Sequence, residues 1–288
     1  MRRASLLLLP LVGLLAACGG GGSDSIPRLD FGYDASAPLG FRDGGVAFHA
    51  GGIAVHDVSY ASGGRRVPGY LIVPDGAKRL PAVVFVHGSG GDRRELAVPA
   101  AALAQRGLVT LTITEPSATP PPPASTRSGV IRQQRDLVVG DVVATRRAVQ
   151  LLGTLPWVDP GRIGYLGWSA GARLGAFVGA AEPRVKALVL LSGGADPIAD
   201  FVAHAPKGLR DQVRTDLGSV DPLRYVGRAH GALLLEDGTK DEVVPHEALL
   251  NLAHAAPKGT TLRWYEAGHE LTAKAYADAF AWLQRELR

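Results

Sequence analysis

The sequence predicts an α/β protein with a mostly parallel central sheet and helices on both faces, and three observations carry that expectation. Apolar runs of strand length alternate with helix-length patterns through most of the 288 residues, the signature of strands that pair in parallel through helical crossovers. Between one such run and a small-residue helix pattern lies Gly164-Tyr165-Leu166-Gly167-Trp168-Ser169-Ala170-Gly171, which contains G-x-S-x-G. An acidic loop and a histidine loop then follow later strands, in that order. With 37 glycines in the chain, the pentapeptide alone is a modest signal, and its context decides.

The chain opens Met1-Arg2-Arg3, continues with an apolar run over 6–17 and reaches Leu15-Ala16-Ala17-Cys18 before four glycines. A charged start, a short apolar centre and small residues before a cut have the form of a secretory signal. The run is too short for a membrane-spanning helix, which needs about 20 residues. Leu-Ala-Ala-Cys resembles a bacterial lipobox, so residues 1–17 are expected to be removed and Cys18, the single cysteine, to carry lipid. Residues 18–30 then form a tether, and 31–288 one domain. Gly19 after the cysteine suggests the outer membrane of a diderm cell. An ordinary signal peptide with an unpaired thiol is the alternative. Without Arg2 and Arg3 the formal charge falls from +4 to +2, and the remaining cations are scattered among acids. That distribution lacks the basic stripe of a nucleic-acid binder and fits a small-molecule partner.

Taken in order, 53–60 and 66–73 read as an antiparallel pair joined through Ser62-Gly63-Gly64. The run 82–86 reads as a strand buried on both faces, followed by His87-Gly88-Ser89-Gly90-Gly91 and a helix over about 95–105. A strand at 108–114, a helix at about 132–152 and strands at 162–166, 185–191, 232–236 and 261–265 continue the alternation. Residues 116–127 hold four consecutive prolines, Pro120 to Pro123, and read as an exposed semi-rigid loop, either a rim over the site or a surface excursion. Residues 193–221 read as one helix with irregular flanks, where a cap could sit.

A serine hydroxyl is a weak nucleophile and needs exposure, a base and oxyanion donors. A sharp strand-to-helix turn exposes Ser169 and aims the following N–H groups at one point. Asp241 lies beyond the carboxyl end of the 232–236 strand, where catalytic groups gather in open parallel sheets. On composition alone Asp237 and Glu242 compete with it. His269 follows the last strand; of eight histidines only this one follows both the turn and the acid in a strand-to-helix loop.

These marks, with Val158-Asp159-Pro160-Gly161-Arg162-Ile163 and Val244-Pro245, resemble the α/β-hydrolase superfamily over 31–288. In particular the chain is similar to bacterial esterases related to dienelactone hydrolases and to prolyl-oligopeptidase-like catalytic domains. The resemblance implies an α/β-hydrolase fold, a Ser169, Asp241, His269 triad, and an oxyanion hole from the N–H groups of Ala170 and Ser89. It also implies hydrolysis of a small or medium-sized ester through an acyl-enzyme, with no metal or organic cofactor. Strict dienelactone hydrolases use cysteine where this chain has Ser169, which favours simple esters over lactones. An aminopeptidase or amidase, or a lipid-anchored binding protein without turnover, is the competing expectation; a thioesterase is disfavoured by the expected location. His87, Trp168 and Arg93 are candidates for the substrate rim. His87 reads first as a structural hydrogen-bonding residue and Arg93 first as a solvated helix-start arginine.

Overall fold

The apolar run expected to be buried on both faces is the strand Leu80–Val86 (β4), whose last five residues are inaccessible. In the computed structural model, which describes Ile26 and residues 28–288, β4 pairs in parallel with Val109–Ile113 (β5) on one side and Val158–Trp168 (β6) on the other. The sheet continues in parallel through Val185–Leu191 (β7), Ala232–Gly238 (β8) and Thr261–Tyr265 (β9). Beyond β5 lie three antiparallel strands: Arg65–Pro74 (β3), Ile53–Ser62 (β2) and Arg42–Ala50 (β1). The nine-strand order is β1-β2-β3-β5-β4-β6-β7-β8-β9. The expected signal peptide and Cys18 lie outside the described residues.

Alternate residues along the central strands feed two cores. Val84, Leu111, Tyr165 and Leu188 face the helices Arg127–Leu152 (α2) and Ala170–Ala181 (α3). Val83, Phe85, Leu166 and Val189 face Ala97–Ala104 (α1) and Ala273–Glu286 (α7). Period-two alternation in a sheet covered on both sides makes each strand apolar throughout. The N-terminal segment is tied across α2, where Arg146 and Arg147 donate to the carbonyls of Phe31, Asp34, Ala37 and Pro38.

From β4 the chain moves outward to β5 and then returns to β6 on the opposite flank of β4. The carboxyl ends of β4 and β6 therefore border a topological switch point, where ligand crevices form in open α/β sheets. The oxyanion-loop candidate follows β4 and Ser169 follows β6.

Three expectations change. β1 is an additional strand, exposed along its whole length. Helix α2 starts at Arg127, capped by the Thr126 hydroxyl, which accepts from Gly129 N. The 193–221 segment is not one helix. It breaks into Ile198–His204 (α4), a short turn Arg210–Gln212 (α5) running into a π turn Val213–Leu217, and 3₁₀ turns. Pro197 and Pro206 each precede a new turn, where their missing N–H costs no internal helix bond. The helix His246–Ala255 (α6) completes the fold between β8 and β9.

Candidate active site

Ser169 sits between β6 and α3 with φ 56° and ψ −112°, a conformation that costs a residue with a side chain about 1–3 kcal/mol. Its surroundings hold it there. Ser169 N donates to Leu191 O at 2.9 Å and Gly171 N to His87 O at 3.1 Å, while Tyr165 Oη donates to Gly171 O at 2.6 Å. A Cβ on Gly167 would lie 2.4 Å from the Gly171 carbonyl, and one on Gly171 would lie 2.3 Å from Val86 O. The G-x-S-x-G spacing thus has a steric reason: the helix start passes against two strand ends with no room for a side chain.

His269 lies between Ser169 and Asp241. Its Nε2 is 2.9 Å from Ser169 Oγ and its Nδ1 2.8 Å from Asp241 Oδ2. Asp241 Oδ1 accepts from the amides of Val243 and Val244 at 2.8 and 2.9 Å. A carboxylate so filled with donors fixes the proton on Nδ1 and leaves the Nε2 lone pair toward the serine. Glu242 is exposed. Asp237 is buried, and burial, with the charges of Asp241 and Glu236, pushes its pKa up to about 7 against the opposing Gly193 amide. Neither competitor forms a hydrogen bond or ion pair with His269, whose ring partners are Asp241 and Ser169.

The His269 carbonyl accepts from Ser192 Oγ at 2.8 Å and from Trp168 Nε1 at 3.1 Å. The Trp168 ring also packs on the imidazole, centroids 5.1 Å apart. Ser192 is inaccessible and holds φ 50°, so a second non-glycine residue with positive φ stands beside the first. Sequence reasoning missed Ser192; its one signal is its place at the end of β7, next to Gly193 and Gly194.

On the other side, the loop after β4 approaches Trp168 so closely that a Cβ on Gly88 would lie 2.8 Å from the indole. Gly88 N donates to Glu95 Oε2 at 2.8 Å, which fixes the loop and leaves the next amide free. Among the described residues, neither Ser89 N nor Ala170 N has a hydrogen-bond partner. His87 is buried, with Nδ1 2.7 Å from Gly88 O and Nε2 in contact with Glu115. Burial opposes a charged ring, but the bond to Glu115 and its charge outweigh that and raise the His87 pKa. Asp141 of α2 accepts from Ser117 N at 2.9 Å.

The family model for the dienelactone hydrolase family matches residues 67–280, which spans every residue of this arrangement. The chain belongs to the dienelactone hydrolase family. Its fold is that of the acetyl xylan esterase from Paenibacillus sp. R4, at TM-score 0.74 and 18% identity over 87% of this chain and 90% of the other. Acetyl xylan esterase 1 from Thermoanaerobacterium sp. JW/SL YS485 gives 0.70 and 18%, over 87% and 89%. The Pyrococcus horikoshii acylaminoacyl peptidase gives 0.59 and 15%, covering 82% of this chain and 48% of that one. No curated protein matches the chain.

In this dienelactone hydrolase family member, a cavity of about 570 Å³ opens beside the serine, lined by His87, Ser89, Ala170, Arg173 and Phe201 among others. Ser117, Ala118 and Pro120 form part of its wall, so the start of the 116–127 stretch is rim and the exposed prolines beyond are surface. The broken 193–221 segment contributes Asp196, Ile198 and Leu217. A second cavity of about 550 Å³ lies between α1 and α7, with Trp168, Glu270 and Leu271 on its wall. Arg93 is not at the rim. Its guanidinium donates to both Asp57 oxygens at 2.7 and 3.0 Å and to Gly69 O, and lies over the Tyr70 ring. Among the described residues no group of three or more His, Cys, Asp or Glu is placed to hold a metal.

Proposed function

We propose that this chain is a serine esterase that works through an acyl-enzyme, and the observation that carries the proposal is the continuous bond path Ser169 Oγ, His269, Asp241. His269 Nε2 takes the hydroxyl proton as Oγ bonds to the ester carbonyl carbon. The carbonyl electrons move onto oxygen, where the N–H groups of Ser89 and Ala170 receive the charge, each worth roughly 10²–10³ in rate. Collapse expels the alcohol, which leaves with the proton from His269. Water then attacks the acyl-enzyme by the same route, releasing the acid and restoring Ser169. Asp241 keeps the ring oriented and stabilises the imidazolium. Esters rather than amides are favoured by the neighbours named as acetyl xylan esterases.

The test is hydrolysis of 4-nitrophenyl esters from acetate to octanoate by wild type and Ser169→Ala, with aminoacyl 4-nitroanilides in parallel. Ester turnover that falls roughly 10⁴- to 10⁶-fold in the variant is the expected result. Turnover of anilides alone would make it an amidase, and a folded but inert wild type would leave a binding protein. We further propose that the chain is exported and lipid-anchored through Cys18, a reading supported by the sequence over 1–22. Radiolabelled palmitate incorporated by the full chain and lost in Cys18→Ala is the expected outcome.

A further inference from the structure

Arg173 stands one helical turn after Ser169 on α3, and its backbone N donates to Ser169 O at 3.1 Å. Its side chain lines the 570 Å³ cavity that also holds Ser89 and Ala170. The guanidinium makes no hydrogen bond or ion pair with any described residue. Arg173 stays exposed in the cavity wall, and the protein packed around part of it lowers its pKa, opposed by the charge of Asp196. Of the four acids that line the cavity, three bond within the protein: Glu115 to His87, Asp141 to Ser117 N and Asp221 to Leu223 N. Asp196 is exposed at the outer edge and forms no ion pair with Arg173. An arginine is a rigid fork of donors suited to a carboxylate, and here the fork is open.

The side of the reaction that the cavity serves follows from the base. The leaving oxygen must face His269 Nε2, because that nitrogen returns the proton. No residue of the His269 loop lines the Arg173 cavity, whereas Glu270 and Leu271, which follow His269, line the other one. The acyl chain, running away from the leaving group, therefore enters the Arg173 cavity.

We infer that Arg173 selects esters whose acyl portion ends in a carboxylate, so that the substrates are half-esters of dicarboxylic acids. The inference rests on the esterase reading above. Half-esters bind with the ester carbonyl at Ser169 and the distant carboxylate on Arg173, and the released product is a dicarboxylate.

The test compares the mono-4-nitrophenyl ester of adipic acid with 4-nitrophenyl methyl adipate, the same chain with its charge masked. Wild type is expected to favour the charged ester in kcat/KM by roughly 10- to 100-fold, the range of a charge-assisted hydrogen-bonded pair. In Arg173→Gln the ratio drops to about unity, and Arg173→Lys retains part of it. Both esters are measured on one preparation, so a general loss of activity cancels in the ratio. Absence of preference in wild type, or a preference that survives Arg173→Gln, overturns the inference. Calorimetry of adipate on Ser169→Ala and on Ser169→Ala with Arg173→Gln keeps it testable without turnover. Binding lost only in the double variant supports Arg173 even if the esterase reading fails, and equal binding by both overturns it.

Discussion

Two polar walls flank Ser169, both buried, and they differ in where their hydrogen bonds end. On one wall, built from the ends of β7 and β8 and the residue before the serine, Ser192, Trp168 and Asp241 all bond to His269. On the other, built from the ends of β4 and β5 and from α2, His87 and Glu115 bond to each other, and His87 and Asp141 bond to nearby backbone. Both walls contain an acid pushed up to about 7 by burial, Asp237 on the first and Asp141 on the second. A shifted acid therefore does not mark the chemistry here. The direction of the bonds separates the walls: one orients an imidazole, and the other supports a loop.

The largest effect is expected where the walls meet. Gly171 stands between them, two residues after Ser169: its N–H bonds to His87 O of the second wall, and its carbonyl accepts from Tyr165 of β6, the strand that carries Trp168. In Gly171→Ala the new Cβ would lie 2.3 Å from Val86 O and 2.8 Å from His87 O, and backbone atoms cannot step aside. Overpacking of this kind costs about 1–3 kcal/mol or more, and displacement of the serine and its donors should cost at least about 10²-fold in kcat. A melting curve and an ester assay check both. Wild-type values for this variant would mean that the two walls are independent.

Next come the bonds that end on His269. Ser192→Ala and Trp168→Phe each remove one donor to its carbonyl, and the second keeps an aromatic ring against the imidazole. With His269 as the proposed base, each is expected to lower kcat about 10-fold with KM changed less than about 3-fold, since a misaimed base harms the transition state more than ground-state binding. Loss of stability should stay near 1 kcal/mol. The double variant should lose less than the sum of the two, because both donors serve one oxygen. Additive losses, or a change confined to KM, would place these residues in substrate contact instead of orientation.

Sequence made the first wall far more legible than the second. The strands β7 and β9 are read to the residue, and Ser169, Asp241 and His269 each follow a recognisable strand end, so chain order alone brings them to one edge of the sheet. What was lost depends on distant or missing partners. Arg93 reads as free because Asp57, 36 residues upstream, is joined to it only by tertiary packing. Ser192 is silent because its partner is 77 residues away. Arg173 was overlooked because having no partner leaves no trace in a sequence. β1 was missed since Gly44 and Gly45, register shifts and two exposed faces erase alternation, the signal by which a strand is read.

The smallest effect tests the second wall. Burial raises the folded-state pKa of Asp141 from an ordinary 3.8 to about 7, outweighing the Ser117 hydrogen bonds that lower it. Between those values the folded chain holds a proton that the unfolded chain has lost, so stability falls as pH rises from about 4 to about 7 and levels off above. Asp141→Asn removes the titration and keeps an oxygen to accept from Ser117 N. The variant's melting temperature, compared with wild type at each pH, should therefore gain as pH goes from 5 to 8.5. A gain on the order of 1 kcal/mol corresponds to roughly 2–4 °C. The pH at which kcat/KM reaches half its plateau should not move, because Asp141 bonds to nothing that touches His269. A flat difference in melting temperature would mean that the charge of Asp141 is solvated through the cavity it borders. A displaced kinetic midpoint would mean that the second wall is coupled to the base, and the contrast between the two walls would fail on the property that defines it.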